Sequence, residues 1–303
     1  MIEEILVYGA ISGGMYALLA LGFTLIYGVS GVVNLAHGSF FMVGTYLFYV
    51  FGISGFFSLI PLTLLDPTWG PLAALILAIA FTGVISAALY RIIIHPVLGD
   101  EIGVMVVTVS LALIIQQLIL MIFGPPNLRI NPLVTGSKQI WGLGVTNMRL
   151  LAFGVSLILF IVLWIFTNKS KVGNAMRAVS QDREAAMLMG INTERLYMLT
   201  MALSAMLAAA AGVFITASIT EYAAPWIWLH PLALSFSIVI LGGLGSIKGS
   251  LLGGFIVGYA EQAVAIGVPE GGSIISIVPF TVMVIVLLLR PKGLFGKRIE
   301  MED

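Results

Sequence analysis

Residues 5–29 read ILVYGAISGGMYALLALGFTLIYGV, 25 residues without an Asp, Glu, Lys or Arg. A helix needs roughly 20 apolar residues to cross a hydrocarbon core of about 30 Å. The charge-free run continues to Leu65, and His37 is the only side chain in it that titrates near neutrality. In lipid the backbone must satisfy its own hydrogen bonds, which makes the run helical. The whole chain follows suit: of 303 residues, 60% are hydrophobic and 9% charged, with a mean hydropathy of +1.11. Soluble domains carry about 25% charged residues, so no water-soluble surface can be built from this inventory.

Working outward, apolar runs recur at 39–59, 72–90, 102–123, 150–167, 196–219, 228–244, 250–267 and 274–289. The pattern predicts a single all-α, polytopic membrane domain over 1–303 with eight or nine transmembrane helices. Glycine-dense segments at 34–38 and 242–249 are able to break a helix in mid-membrane. Glu3 and Glu4 stand where a signal peptide has a basic region, so the first run reads as a permanent span.

The chain has no Cys and three scattered His, and no nucleophile and base fall together. Disulfides and thiolate metal sites are therefore excluded, and an enzyme is the weakest functional class. Residues 245–250, GSIKGS, place a glycine after the lysine and none directly before it, so they form no phosphate-binding loop.

Charge concentrates in residues 168–195, which hold eight of the 28 Asp, Glu, Lys and Arg residues. The sequence predicts a short helix here, N-capped by Ser180, with Asp182 and Glu184 in its first turn. Gly190 supplies a left-handed stop. The helix spans about nine residues, too few to cross a membrane. Ala185, Leu188 and Met189 share one face, Arg183 and Glu184 orient it, and Asn192 or Thr193 caps the next helix. Such an element is either a docking surface for a soluble partner or an ordinary amphipathic surface helix.

With nine spans, eleven of the fourteen Lys and Arg lie on one side, leaving Arg129, Lys138 and Arg149 on the other. The basic side is cytoplasmic by the positive-inside rule, so the amino terminus is outside and the tail 291–303 inside. The turn-rich loop 124–147 then faces outward, as a surface for an extracytoplasmic partner or as a lid.

Polar residues inside apolar runs are the candidates for a translocation path: Asn34, His37, Gln116 and Glu261. Gly245 joins them as an unwound-backbone candidate. For His37 the competing role is an interhelical hydrogen bond. Tyr222, Trp226, Trp228 and His230 read as an interfacial belt. Gly245, Gly249 and Gly253 repeat every four residues, as do Gly9, Gly13 and Ala17, and Gly254 with Gly258. Packing ridges that let helices approach closely are the favoured meaning of these repeats.

Glu184-Ala185-Ala186-x3-Gly190 resembles the cytoplasmic coupling motif of ATP-binding-cassette importer permeases. The wider run from Gly173-Asn174-Ala175-Met176-Arg177-Ala178 to Gly190-Ile191-Asn192 resembles the branched-chain amino acid permease version. Gly14-Met15-Tyr16-Ala17-Leu18, Ile26-Tyr27-Gly28-Val29 and Asn34-Leu35-Ala36-His37-Gly38 are similar to the opening of LivH-type subunits. Leu241-Gly242-Gly243-Leu244-Gly245-Ser246-x2-Gly249-x3-Gly253 is similar to their late glycine-rich element. The resemblance covers about residues 5–293 and implies an inward amino-acid transporter of the prokaryotic inner membrane. Its partners would be two cytoplasmic ATPases, a second identical or homologous permease and an extracytoplasmic solute-binding protein. Residues 168–195 would be the ATPase-coupling loop, with Arg183, Glu184, Ala185, Ala186 and Gly190 at its heart. ATP would be used by the partners, and this chain would bind no cofactor or metal. A permease for urea, short amides or simple sugars, or a stand-alone carrier using Glu261, is the alternative.

Overall fold

The computed structural model describes residues 1–52, 70–125, 127–269 and 271–296. Helix α1, Ile2–Ser30, keeps its only acidic residues, Glu3 and Glu4, in the first turn and ends where Gly31 turns left-handed at φ 70°. From Ile11 to Ile26 it is buried on every side. A helix that is apolar all round belongs at the centre, and α1 packs most extensively against four others there.

Those neighbours are α5 (Asn147–Lys169), α8 (Thr193–Ile215), α9 (Leu229–Gly242) and α10 (Ile247–Gly267). Among the described residues the remaining α-helices are α2 (His37–Gly52), α3 (Gly70–Leu89), α4 (Glu101–Phe123), α6 (Lys171–Gln181), α7 (Arg183–Leu188), α11 (Gly271–Ile274) and α12 (Val278–Leu289). Wider turns of π-helix extend α3 through Tyr90–Ile94 and α8 through Thr216–Thr220.

Seven helices among the described residues are long and apolar enough to span a membrane. Of the eight or nine spans expected, the one at 228–244 falls short of that length as α9, with 14 residues, while the one at 39–59 is described only through the 16 residues of α2. The far end of the expected 39–59 span, like Lys297 and Arg298 of the 291–303 tail, lies outside the described residues.

The two ends of the bundle differ. One carries two small antiparallel pairings, β1 (Leu128–Arg129) with β4 (Tyr222–Ala223) and β2 (Ser137–Ile140) with β3 (Leu143–Thr146). The second pairing turns on Trp141 and Gly142, both at positive φ, the geometry of a tight two-residue hairpin. The other end carries α6 and α7. There Arg91 of the α3 extension meets Glu194 of α8 at 2.6 Å. The described basic residues therefore segregate by end as the sequence indicates.

Small residues set the helix spacing. A methyl at Gly254 would stand 2.6 Å from the backbone nitrogen of Ala17, and one at Gly258 would stand 2.5 Å from that of Gly13. On α10's other flank Gly249 faces Gly242, and Gly253 lies against the Ile238 carbonyl of α9. The glycine repeats thus form two ridges, one toward α1 and one toward α9. Between them Thr24 and Ser250 share a hydrogen bond. Gly245 belongs to neither ridge: it lies in the turn before α10, at φ 79°.

Candidate coupling surface and mid-membrane junction

The 168–195 segment folds as two helices rather than one. Ser170 caps α6 by accepting from Gly173 N at 2.9 Å, and Gly173, Met176 and Val179 turn their side of α6 inward. Asp182 then adopts an extended conformation, φ −152° and ψ 110°. Its carboxylate accepts from Ala185 N at 2.9 Å. The N-cap is therefore Asp182, two residues later than the expected Ser180, whose hydroxyl instead donates to Arg177 O. A short carboxylate at the start of a helix satisfies an orphan N–H and favours the positive end of the dipole.

The stop is as the sequence indicates. Gly190 sits at φ 83°, with Gly190 N donating to Met187 O and Ile191 N donating to Ala186 O. This pair of bonds is a Schellman motif, which only a residue tolerant of left-handed geometry completes easily. Asn192 caps α8 by accepting from Arg195 N at 2.9 Å.

Side chains on α7 divide sharply. Ala186 is buried, whereas Leu188 and Met189 are 89% and 83% exposed. Ala185 and Glu184 are exposed too. Arg183 turns back over the Tyr197 ring of α8, 5.6 Å from its centroid. Ala186 is thus the root of α7, and Leu188 and Met189 are its projecting tip. Beside this platform an open cavity of about 470 Å³ is bordered by Gly28, Gly31, Arg183, Tyr197 and Gly245.

A second constellation lies inside the bundle. After Gly31 the chain runs non-helically to Ala36, turning back along α1. At its end His37 bonds Leu19 O of α1 through Nε2 at 3.0 Å and Ser204 Oγ of α8 through Nδ1 at 3.3 Å. Ser204 lies midway along α8, so α2 begins at mid-depth. The non-helical backbone is paired by side chains: Leu35 N donates to Thr108 Oγ at 3.2 Å, and Ala36 N donates to Asn34 Oδ1 at 3.0 Å. Asn34 Nδ2 reaches Met201 Sδ at 3.3 Å. Irregular backbone survives at membrane depth only when protein satisfies it in this way.

Helix α9 begins at the same level. Gly38 packs directly on the Trp228 carbonyl, where any side chain would collide. The Trp228 indole N–H donates to Gln116 Oε1 of α4. Trp228 is 6% exposed and therefore no member of an interfacial belt; Tyr222 does lie at the hairpin end, in β4.

Of the path candidates, Asn34, His37 and Gln116 come together at this junction. Glu261 does not. It is buried in the α1–α10 seam, beside the Tyr16 side chain. Gly245 stands at the charged end beside Gly28.

Two helices that start in mid-membrane and run to opposite faces are a hallmark of transporters. A search of known families agrees: residues 5–287 match the model described as the branched-chain amino acid transport system permease component. The chain belongs to that family. Among curated family members, the LivH permease protein of Salmonella typhimurium is 29% identical over 95% of this chain and 94% of its own. BraD of Pseudomonas aeruginosa is 30% identical over 96% and 95%. A probable LivH of the archaeon Methanocaldococcus jannaschii is 28% identical over 97% and 93%. The family comprises transport permeases and not enzymes.

Proposed function

We propose that this chain is a permease subunit of an ATP-binding-cassette importer that moves branched-chain or other small apolar amino acids inward by alternating access. The near full-length similarity to branched-chain amino acid permeases supports the substrate class. ATP is hydrolysed by two separate cytoplasmic subunits, a second permease completes the membrane unit, and a solute-binding protein delivers substrate at the hairpin end. The charged end faces the cytoplasm and the amino terminus faces outward, in a prokaryotic inner membrane.

The single observation that carries this reading is the construction of α7, rooted by Ala186 and capped at both ends, with Leu188 and Met189 held out from the molecule. An ATPase groove receiving that tip would push on α7. Arg183 over Tyr197 passes the displacement to α8, and Ser204 on the same helix holds His37 at the junction. Glu184, Ala185 and Gly190 set the outline and the stop of the docking element. In this scheme Gln116 and Trp228 border the path, Asn34 and His37 hold the broken helix that closes it, and Gly245 lines its inner mouth. Glu261, buried beside Tyr16 away from the junction, serves as a seam contact.

Leucine uptake by proteoliposomes holding the complete transporter tests the proposal. Leu188→Glu should leave the permease folded, reduce ATPase co-purification and lower uptake at least tenfold. Normal ATPase binding with intact uptake in that variant, or leucine accumulation by the isolated chain under a proton gradient, overturns it.

A further inference from the structure

Two cavities share a wall where α1 ends. The open one, of about 470 Å³, lies beside α7. A second, of about 20 Å³, lies at the junction, lined by Asn34, Thr108 and Met201 together with Tyr90 and Val104. A cavity of about 10–15 Å³ already holds one water when polar groups meet it. Asn34 and Thr108 are buried, and the buried Tyr90 hydroxyl has no hydrogen-bond partner among the described residues. Buried polar groups are seldom left unpaired, so this chamber suits a water. It excludes an amino acid, because small-molecule sites run to about 300–1,000 Å³.

Of the residues that line the two cavities, Ser30 and Tyr197 line both. Ser30 is fixed to its own turn: its hydroxyl donates to Ile26 O at 2.8 Å and accepts from Val32 N at 3.3 Å. The Tyr197 ring is therefore the part of the wall that can swing. That ring is buried, and the Arg183 guanidinium of α7 lies over it, 5.6 Å from its centroid. A cation over a ring is a modest interaction when the cation faces water, and Arg183 is exposed. Helix α7 thus reaches the wall through a contact that its own displacement releases.

We propose that the Tyr197 ring is the inner gate between the junction and the open cavity, and that Arg183, a positioning residue, latches it shut until α7 moves. This rests on the transport reading above, which makes the two cavities parts of one path. With the ring in place the inner chamber admits water alone; with the ring swung aside it joins the open cavity and reaches a size that takes substrate.

The absence of Cys from the chain makes a direct test possible, on the complete transporter in lipid nanodiscs without substrate or nucleotide. Val104→Cys puts a thiol in the inner chamber, Ser180→Cys puts one in the open cavity, and Ala208→Cys puts one in the buried part of α8 away from both. A small cationic methanethiosulfonate should label position 180 fast and positions 104 and 208 slowly. Adding Tyr197→Ala should speed labelling at 104 at least tenfold and leave 208 unchanged, whereas Tyr197→Phe, which keeps the ring, should change neither. Arg183→Gln should also speed labelling at 104, and Arg183→Lys, which keeps a cation over the ring, should not. Because Arg183 is exposed, its variants carry the test if Tyr197→Ala does not fold. Equal rates at 104 with and without the ring, or with Gln and Lys at 183, overturn the gate. Faster labelling at 208 as well overturns it too, since that marks a loosened bundle and not an opened wall. Labelling needs no leucine, so loss of leucine uptake with this pattern intact overturns the transport reading and leaves the latched wall standing.

Discussion

The seam between α1 and α10 and the junction of α2 with α9 both bring backbones close at glycines, with a different balance of packing and hydrogen bonding around the contact. In the seam, glycine does the work: Gly254 and Gly258 remove side chains so that two unbroken helices touch along their length. At the junction the helices are broken: Gly38 lets α2 reach the Trp228 carbonyl, and hydrogen bonds to His37, Asn34, Thr108 and Trp228 hold the irregular backbone around that contact. Lipid supplies no hydrophobic force between helices, so association rests on packing and on polar contacts. The seam uses the first and is suited to rigidity. The junction adds the second and is suited to a change of partners, because hydrogen bonds exchange one at a time while interlocked backbones separate together.

The sharpest way to break this contrast is to overfill the seam. Gly254→Val places a branched side chain where even a methyl stands 2.6 Å from the Ala17 backbone. Overpacking of a close interior costs about 1–3 kcal/mol and more where backbone must move. Folded yield by fluorescence-detected gel filtration should collapse, and Ala17→Gly should recover part of it. Unchanged yield would show that α1 and α10 are free to separate.

A smaller effect is expected at the junction. His37→Ala removes a second bond from the Leu19 carbonyl, which α1 already pairs internally, and strands the Ser204 hydroxyl, a loss of about 1–3 kcal/mol for a buried group left unpaired. Because α2 still packs elsewhere, melting temperature should fall moderately and uptake should fall further, with His37→Gln recovering part of both. A loss of stability with uptake in proportion would assign the junction a purely structural role. Smaller again, Trp228→Phe keeps the ring and removes the bond to Gln116, worth about 1 kcal/mol. Stability should barely change, while the half-saturation constant or the relative uptake of valine, leucine and isoleucine should shift.

The smallest effect sharpens the comparison by lying outside both regions. Gly245 is at φ 79°, and a methyl there would stand 3.3 Å from Gly28 Cα, so space is tight but adequate. Gly245→Ala should cost about 1 kcal/mol of left-handed strain. A melting-temperature loss as large as that of Gly254→Val would show that the turn belongs to the packed seam after all.

The sequence alone determined the membrane-spanning, all-helical architecture, because charge-free runs of more than about 20 residues have no other stable form in lipid. It also determined the four-residue glycine repeats, though not that Gly245 stands outside them, and the left-handed stop at Gly190, since these depend on spacing and residue type within one segment. Even the local N-cap was only approximately legible: Ser180 and Asp182 are both good caps, and the choice fell to Asp182 when α6 used Ser180 within its last turn. The inward turn of Ala186 followed from packing, for its neighbours Ala185 and Met187 carry no signal that sets them apart.

What only the tertiary structure decided is the junction. His37 meets Ser204, and Asn34 meets Met201, each across 167 residues; Gln116 meets Trp228 across 112. Helical periodicity relates residues three and four apart, and no period reaches so far. The depth at which α2 and α9 begin depends on those distant bonds, which is why Trp228 reads from sequence as a residue of the membrane surface and stands in the folded protein at its middle.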